Sequence, residues 1–375
     1  MDGAAPMRRG ERMSQPGAAT AAVVGFQGFG NVGDEAILSG IEGLLGANVR
    51  VTTIFAGGVE PVAAFTSASR IRTWRHLPTT VAWRALRRVD ALLIGGGGLV
   101  NDYWATVIPR YVTWCLVARL AGCRVVWVGA GIGPIRRRPW RWLAGLGFRA
   151  SRLVLVRDEA SAAWVRRCHE RAHVAVIPDP AFFQAVEIAD AERSGIGIVA
   201  RGPAPIDAHR SPDFARALAA VAIDLQARGE RPELISMHPG EDRAFFVSIQ
   251  AAVAAGGGTV LPVVWLGPVP DEAMACFGRF RLLLTVRLHG LILGALAGVP
   301  SVAVAYDRKV SEAASLLGLG DMVVPLADAS TASLEDALDR LERDPARSTR
   351  MRASIDDIRS RREGVAALIT RAVAG

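Results

Sequence analysis

Lysine is almost absent from this sequence of 375 residues. Lys309 is the only lysine among 44 basic residues, so arginine supplies all the others. Two interpretations are open. Either the genome encodes arginine wherever it can, or position 309 requires a compact, rotatable ammonium that a planar guanidinium cannot replace. Composition alone does not separate them.

Cysteine is scarce and scattered. Cys115, Cys123, Cys168 and Cys276 form no CxxC pair and no disulfide framework. This spacing argues against a zinc site and favours a reducing compartment. We therefore expect a cytoplasmic protein without a metal centre.

Long apolar runs are absent as well. Arginine interrupts every candidate run of about 18 apolar residues, so the sequence predicts no membrane-spanning helix. Residues 1–20 are rich in Gly, Ala and Pro and include Arg8, Arg9 and Arg12. They predict a disordered tail rather than a signal peptide.

What is present is an ordinary globular composition, 51% hydrophobic and 21% charged, with a net charge of +8. The basic excess favours anionic partners. Segment 136–142, RRRPWRW, interleaves arginine with tryptophan, which is typical of contact with an anionic membrane surface. A solvated loop with both tryptophans packed on a helix explains it equally well. Because no nucleic-acid-binding module accompanies this segment, we expect no nucleic-acid partner.

Short apolar runs alternate with helix-length segments, which predicts an α/β fold with parallel sheets. Two series of such runs predict two Rossmann-like, doubly wound domains, at 21–190 and 191–375, joined by a polar linker. Ligands of such folds bind where the carboxyl ends of the strands meet, so we expect a cleft between the domains. The final stretch, 333–373, is predicted to be helical. The predicted strands are 21–26, 91–98, 124–133 and 152–158 in the first domain, and 195–201, 232–238, 258–265, 281–287 and 300–306 in the second.

The first strand leads into a glycine-rich segment, GFQGFGNVGDEAIL, that opens a helix. A nucleotide-binding loop is disfavoured, because the acids at the helix start would repel a pyrophosphate and the spacing is not GxGxxG. A hydroxyl-rich ligand bound by Asn31 and Asp34, close to the backbone at Gly33, fits better. The alternative is a tight turn in which Asp34 is the N-cap.

Two more glycine-rich segments follow the next buried strands. Four consecutive glycines, at 95–98, exceed what a turn needs, so a closely approaching ligand is the better explanation. Segment 129–134, GAGIGP, has the same character. The substrate contacts predicted here are Gly96, Gly97, Gly98, Asp102 and Gly131.

Arg157 ends the fourth apolar run. A guanidinium at the carboxyl end of a buried strand points toward the cleft and can bind a phosphate or carboxylate with two parallel hydrogen bonds. The alternative is an ion pair with Asp158 or Glu159 that only stabilises the helix start.

The stretch 281–309 carries the strongest signal for chemistry. One buried strand ends at Arg287 and His289, and the next ends shortly before Lys309. Adjacent strand ends of a parallel sheet meet, so these side chains are expected to converge as a general acid with two cations. His238, at the end of another predicted strand, is a weaker substrate-binding candidate.

From about residue 22 to 310 the chain resembles the polysaccharide pyruvyltransferase family. The ordered motifs are GNVGDEAIL, IGGGGLVND, GAGIGP, VRDEAS, IPDPAF and VRLHGLILGALAGVPSVAVAYDRK. The resemblance implies a GT-B-like fold and transfer of the enolpyruvyl unit of phosphoenolpyruvate onto two sugar hydroxyls, giving a pyruvate ketal and phosphate. The family's functional positions match Arg157, Arg287, His289 and Lys309.

The expected partners are phosphoenolpyruvate, on the second domain, and a sugar of a cell-surface polysaccharide or its lipid-linked precursor, on the first. No cofactor is expected, and the oligomeric state is not predicted. Two other functions remain open. One is a GT-B glycosyltransferase that uses a nucleotide sugar, and the other is a non-enzymatic basic protein that binds the inner face of the cell membrane.

Overall fold

The computed structural model describes residues 19–55, 70–72, 77–185, 192–202 and 211–375. The predicted N-terminal tail up to residue 18 lies outside these ranges, as does the predicted domain boundary at 190/191. No helix in the described ranges is long and apolar enough to cross a membrane.

Within the described residues, the first domain is built on a parallel sheet of seven strands. Its strands are β1 (Ala19–Val24), β2 (Val49–Phe55), β3 (Arg70–Arg72), β4 (Ala91–Val100), β5 (Arg124–Ile132), β6 (Leu153–Val156) and β7 (Val174–Val176). Its helices are α1 (Val32–Leu45), α2 (Thr80–Leu86), α3 (Val107–Leu120), α4 (Arg138–Ala150) and α5 (Glu159–Cys168). The strand order is β3-β2-β1-β4-β5-β6-β7.

The second domain has a parallel sheet of six described strands. They are β8 (Ile196–Val199), β9 (Pro232–Ser236), β10 (Val263–Trp265), β11 (Leu282–Thr285), β12 (Ser301–Ala305) and β13 (Val323–Pro325). The helices are α6 (Ser211–Ala227), α7 (Pro239–Ala255), α8 (Pro270–Gly278), α9 (Leu288–Leu296), α10 (Arg308–Leu316), α11 (Thr331–Glu342), α12 (Arg347–Ser360) and α13 (Arg362–Ala374). The strand order is β10-β9-β8-β11-β12-β13.

Both sheets reverse their strand order next to their first strand. The chain leaves β1 toward β2 and β3 and returns on the other side with β4, and it does the same around β8 with β9, β10 and β11. Such switch points open a crevice at the carboxyl ends of the strands. The predicted site residues 31–34 follow β1, and residues 287–289 follow β11, so the topology places both beside a switch point.

The central strands form because their apolar runs are continuous. Residues 91–94 of β4 and 283–284 of β11 are completely buried, as expected for strands covered by helices on both faces. One apolar cluster extends from β1 and α1 of the first domain through α9 and β12 of the second. The two domains therefore share a continuous core behind the cleft.

The glycines at 95–98 lie inside β4, where the strand continues to Val100 instead of ending in a loop. A Cβ at Gly96 would lie 2.8 Å from the carbonyl oxygen of Gly129 and 2.9 Å from the side chain of Ile37. Gly96 is thus required because β4, β5 and α1 approach each other closely. Gly96 therefore serves packing within the protein, whereas Gly97 and Gly98 line the cavity described below.

The last helix returns to the first domain. Helix α13 packs against α1, β1 and β5, whereas α11 stays on the second sheet. The guanidinium of Arg124 at the start of β5 donates to the carbonyl of Val373, with a distance of 3.0 Å. The C-terminal helices therefore connect both domains, which the sequence alone did not indicate.

Candidate active site

A cavity of about 170 Å³ lies between the carboxyl edges of the two sheets. Both domains line it, and it brings together most of the residues singled out from the sequence. Those lining it are Asn31, Asp34, Gly97, Gly98, Arg157, Arg287, His289 and Lys309. Arg201 and Tyr306, which the sequence analysis did not select, line it as well.

The start of α1 forms one side of the cavity. Asn31 is the N-cap, since its side-chain oxygen accepts from the backbone N–H of Gly33 at 3.1 Å. Its amide group also donates to Asp34, at 2.7 Å. The cap is therefore Asn31, and the alternative in which Asp34 caps the helix is wrong. Burial raises the pKa of Asp34 above its usual value, although nearby His289 opposes this shift.

His289 lies in the first turn of α9 and faces the start of α1. A Cβ at Gly33 would lie 2.3 Å from Nδ1 of His289, so the imidazole is in close contact with this glycine. The other ring nitrogen, Nε2, lies 3.7 Å from a carboxylate oxygen of Asp179. The imidazole is therefore held between two elements of the first domain although it belongs to the second.

Asp179 is a site residue that the sequence analysis missed. It is 6% exposed and accepts from the backbone N–H of Ala181 at 3.0 Å, just after β7. Burial alone would raise the pKa of Asp179, but His289 and Arg157 hold it below its usual value. Its signal was an aspartate between two prolines in IPDPAF, directly after a short strand.

Arg157 extends from the end of β6 toward the same carboxylate. Its guanidinium lies 3.6 Å from Asp179 and 3.5 Å from Asp158. A Cβ at Gly131 would lie 2.6 Å from its terminal nitrogen, so this glycine provides the space for the side chain. The predicted ion pair with Asp158 is confirmed, and Arg157 also lines the cavity, where its binding of an anion stays a prediction.

Arg287 is only 7% exposed and forms a buried ion pair with Asp242 of α7. The second oxygen of Asp242 accepts from the hydroxyl of Ser236 at 2.8 Å and from the backbone N–H of His238 at 3.0 Å. This network fixes the guanidinium at the edge of the cavity, with its orientation already set before a ligand arrives.

His238 contacts the other domain instead of the cavity. Its Nε2 is 3.1 Å from the carbonyl oxygen of Phe29, and its Nδ1 is 3.1 Å from the carboxylate of Glu241. Glu241 raises the pKa of His238 above its usual value. The structure places His238 in a contact between the domains, beside the hydrogen bond from Val32 N–H to the carbonyl of Met237.

Lys309 lies in the first turn of α10, beside the end of β12. Its ammonium is 3.6 Å from Asp307 and 5.0 Å from the ring centre of Tyr306. The guanidinium of Arg201 lies 5.1 Å from the same ring. Burial would raise the pKa of Tyr306, but Lys309 and Arg201 lower it below its usual value. Two cations thus flank one phenol at the opening of the cavity.

The remaining predicted contacts divide into two groups. Gly131 lines a larger outer pocket of about 580 Å³ that adjoins the cavity, together with Tyr103, Trp104 and Trp164. Asp102 instead accepts from the backbone N–H groups of two residues before α4, at 2.5 and 3.2 Å, and lines neither space. Its contacts hold two loops together.

The arrangement combines four permanent cations, an imidazole and one lining carboxylate around a small volume. The four cations follow the ends of strands: Arg157 follows β6, Arg201 follows β8, Arg287 follows β11, and Lys309 follows β12 in the first turn of α10. The imidazole of His289 lies two residues after Arg287, at the switch point of the second sheet. Such a site can bind a small, highly charged anion and protonate it. The adjoining pocket combines aromatic side chains with charged ones, which suits a larger molecule that has both apolar and polar faces.

Several solved structures share the fold of this chain. The N-terminal domain of trehalose-6-phosphate phosphatase from Candida albicans is similar at a TM-score of 0.58 and 12% identity, covering 97% of this chain and 98% of that one. UDP-GlcNAc 2-epimerase from Neisseria meningitidis follows at 0.56 and 11%, covering 95% and 99%. An O-GlcNAc transferase mutant from Thermobaculum terrenum is similar at 0.51 and 15%, covering 98% and 70%. These similarities confirm the predicted α/β, GT-B-like fold of two Rossmann-like domains.

A family comparison of the sequence is more specific. The model of the family described as polysaccharide pyruvyl transferase matches residues 31–308, which include every residue discussed in the cavity except Lys309, the residue directly after the match. No curated protein sequence matches the chain at a significant level. Since the matched region covers most of the chain, the chain belongs to the polysaccharide pyruvyl transferase family.

Proposed function

We propose that the protein transfers the enolpyruvyl unit of phosphoenolpyruvate onto two hydroxyls of one sugar, giving a pyruvate ketal and inorganic phosphate. The observation that carries this proposal is the cavity of about 170 Å³ lined by Arg157, Arg201, Arg287 and Lys309 with His289. Its volume is below the roughly 300–1,000 Å³ of pockets for larger ligands, so it suits a small polyanion. The donor carries a carboxylate and a phosphate on three carbons.

The cations and the imidazole have separate tasks in this proposal. Arg157 and Arg287 lie on opposite sides of the cavity, each already oriented by a buried carboxylate. They and Lys309 bind the carboxylate and phosphate of the donor and offset its charge. His289 delivers a proton to the methylene carbon of the enol, which creates a positively charged carbon next to the bridging oxygen.

The bonds then form and break in a fixed order. The first sugar hydroxyl attacks the positive carbon and loses its proton. This proton goes to His289 and replaces the one that the imidazole donated. The bond from this carbon to the phosphate oxygen breaks, and phosphate leaves with the bonding electron pair. The second hydroxyl adds to the same carbon and its proton leaves with the phosphate, closing the ketal. No metal or nucleotide is required, because the phosphate ester already activates the donor.

The acceptor side of the site is the first domain. Asn31 and Asp34 line the cavity opposite Lys309 and present an amide and a carboxylate to a diol. The raised pKa of Asp34 suits a group that accepts the proton of the first hydroxyl and passes it on to nearby His289, so that the proton supplied by the imidazole is restored. The outer pocket, with Trp104 and Trp164 in its wall, would hold the rest of the sugar.

The experiment is to measure phosphate release from phosphoenolpyruvate with a set of nitrophenyl sugars and undecaprenyl-linked sugars. We expect release that depends on one acceptor and falls about 10²–10⁴-fold in the variant His289→Ala. The variant His173→Ala, at an exposed histidine outside the cavity, is the control. Undiminished release in His289→Ala would remove the proposed acid.

Thermal protection separates this reaction from nucleotide-sugar transfer on the same fold. Phosphoenolpyruvate should raise the melting temperature, and a panel of nucleotide sugars should not. Protection by a nucleotide sugar alone would overturn the proposal in favour of a glycosyltransferase.

A further inference from the structure

A group of exposed basic and aromatic side chains lies beside the opening of the outer pocket. Trp142, Trp104 and Tyr103 are 67%, 61% and 51% exposed, although tryptophan and tyrosine are usually at least half buried. Three exposed arginines adjoin them at the start of α4. We call this group the basic aromatic face; it consists of Tyr103, Trp104, Arg136, Arg137, Arg138 and Trp142.

Specific contacts hold this face together. Asp102 accepts from the backbone N–H groups of Arg136 and Arg137, and its own N–H donates to the carbonyl of Pro134 at 3.0 Å. The guanidinium of Arg136 lies 5.7 Å from the ring centre of Tyr103. The two loops that carry the face are thus connected, and the aromatic and basic groups are presented on one side.

The three arginines are unfavourable for the helix on which they lie. They occupy the N-terminal end of α4, where the helix dipole disfavours cations, and the first turn of α4 contains no acidic residue. Within the part of the chain that the structure describes, no carboxylate forms an ion pair with them. Their charge is therefore free to attract an anionic surface.

Trp142 on α4 supports the same interpretation. Trp142 follows Arg138 by four residues, so the two side chains share one face of the helix. Arginine beside exposed tryptophan is the combination that binds the interface of an anionic bilayer, where the ring lies among the headgroups and the guanidinium meets phosphate.

A second basic cluster on the same domain provides the contrast. Arg87, Arg119 and Arg152 line a pocket near the ends of helices α2 and α3, at the amino edge of the sheet. Its lining contains no aromatic side chain. Unlike this cluster, the basic aromatic face combines cations with exposed aromatic rings. It also lies at the mouth of the outer pocket, because Tyr103 and Trp104 belong to the face and line that pocket.

We propose that the basic aromatic face binds the surface of an anionic phospholipid bilayer and so places the outer pocket against the membrane. The described residues contain no membrane-spanning helix, so this contact is peripheral. The consequence for the substrate rests on the proposed function: the acceptor sugar would reach the outer pocket while its lipid anchor stays in the bilayer.

The test is cosedimentation of the full chain with vesicles of phosphatidylcholine, with and without phosphatidylglycerol. We expect binding only to the anionic vesicles, and at least a tenfold weaker apparent affinity in the triple variant R136Q/R137Q/R138Q. The matched control, R87Q/R119Q/R152Q, removes the same charge at the other edge of the sheet and should bind within about twofold of the unmodified protein. Trp142→Gln should weaken binding with all charges retained.

Equal losses in the two triple variants would show that net charge alone drives binding, and the proposal would be wrong. It would also be wrong if R136Q/R137Q/R138Q abolished self-association of the protein without vesicles, which would assign the face to a second copy. Phosphate release with a soluble nitrophenyl sugar should be the same in the unmodified protein and in both triple variants. This activity reports on the proposed function separately, because it needs no membrane.

Discussion

The two domains contribute different chemistry to the cavity although their sheets are built alike. The second domain supplies Arg201, Arg287 and Lys309 with His289, whereas the first supplies Arg157 with the backbone of two glycines. The first domain also holds Asp34 at the cavity and Asp179 directly behind His289. One wall is therefore mainly cationic, and the other is mainly glycine, amide and carboxylate.

This difference indicates a separate task for each domain. In the proposed function the charged wall binds the polyanion, and its Arg287 is held in place by a buried ion pair with Asp242. The wall of the first domain mostly sets geometry, since Gly33 and Asp179 contact opposite nitrogens of His289. The site is complete only where the two domains meet.

Among variants that keep every charged group of the site, the largest effect is expected from breaking this geometry at Gly33. The substitution Gly33→Ala places a methyl group 2.3 Å from Nδ1 of His289 and must displace the imidazole. A displacement of about 1 Å can cost roughly 10² in rate, so we expect phosphate release to fall by about that factor. The measurement is kcat for phosphate release together with the melting temperature, which should not fall.

Gly240 is the matched control, because it is the second residue of α7 just as Gly33 is the second residue of α1. A Cβ at Gly240 meets nothing within 4 Å. Gly240→Ala should retain full activity. If Gly33→Ala did so too, the contact between α1 and the imidazole would have no catalytic importance.

A smaller effect is expected on the cationic wall. Lys309→Arg keeps the charge but replaces a compact ammonium by a planar fork next to Tyr306, where space is limited by Arg201. We expect at least about a tenfold loss of kcat/KM, or about 1.4 kcal/mol of transition-state stabilisation. The measurement is kcat/KM for phosphoenolpyruvate in this variant and in Arg216→Lys, a control substitution at an exposed arginine. Normal turnover would leave the single lysine as an accident of composition.

Much of the fold and part of the site could be predicted from the sequence. Runs such as 91–94 and 300–306 are continuous because they form central strands. Arg157, Arg287 and Lys309 follow the ends of β6, β11 and β12, so the convergence of these three side chains at one edge could be predicted from the topology alone. Strands β2, β3, β7 and β13 were missed. They lie at or near the sheet edges, and β3, β7 and β13 have only three residues each, so they need no long apolar run.

Asp179 and Arg201 are site residues that the sequence pattern could not identify. Each has the residue type of a site, but the partner of each lies far away in the sequence. Asp179 meets His289 of the second domain across 110 residues of sequence. Arg201 meets Tyr306 within the second domain, where the ends of β8 and β12 bring them together. The role of Asp102 in joining two loops was equally invisible, because its partners are backbone N–H groups.

The smallest predicted effect separates the two carboxylates of the first domain. The pKa of Asp34 is raised by burial, so its ionised form costs stability at neutral pH, and Asp34→Asn should raise the melting temperature by about 2–4 °C. The pKa of Asp179 is lowered by His289 and Arg157, so its ionised form stabilises the fold and Asp179→Asn should lower the melting temperature by a similar amount. Both differences should shrink as the pH falls toward and below 3.8, the ordinary value for an aspartate, because the carboxylates then become protonated. Melting curves from neutral to acid pH measure both, and shifts of the same sign would mean that burial at Asp34 and the cations beside Asp179 do not affect the two carboxylates differently.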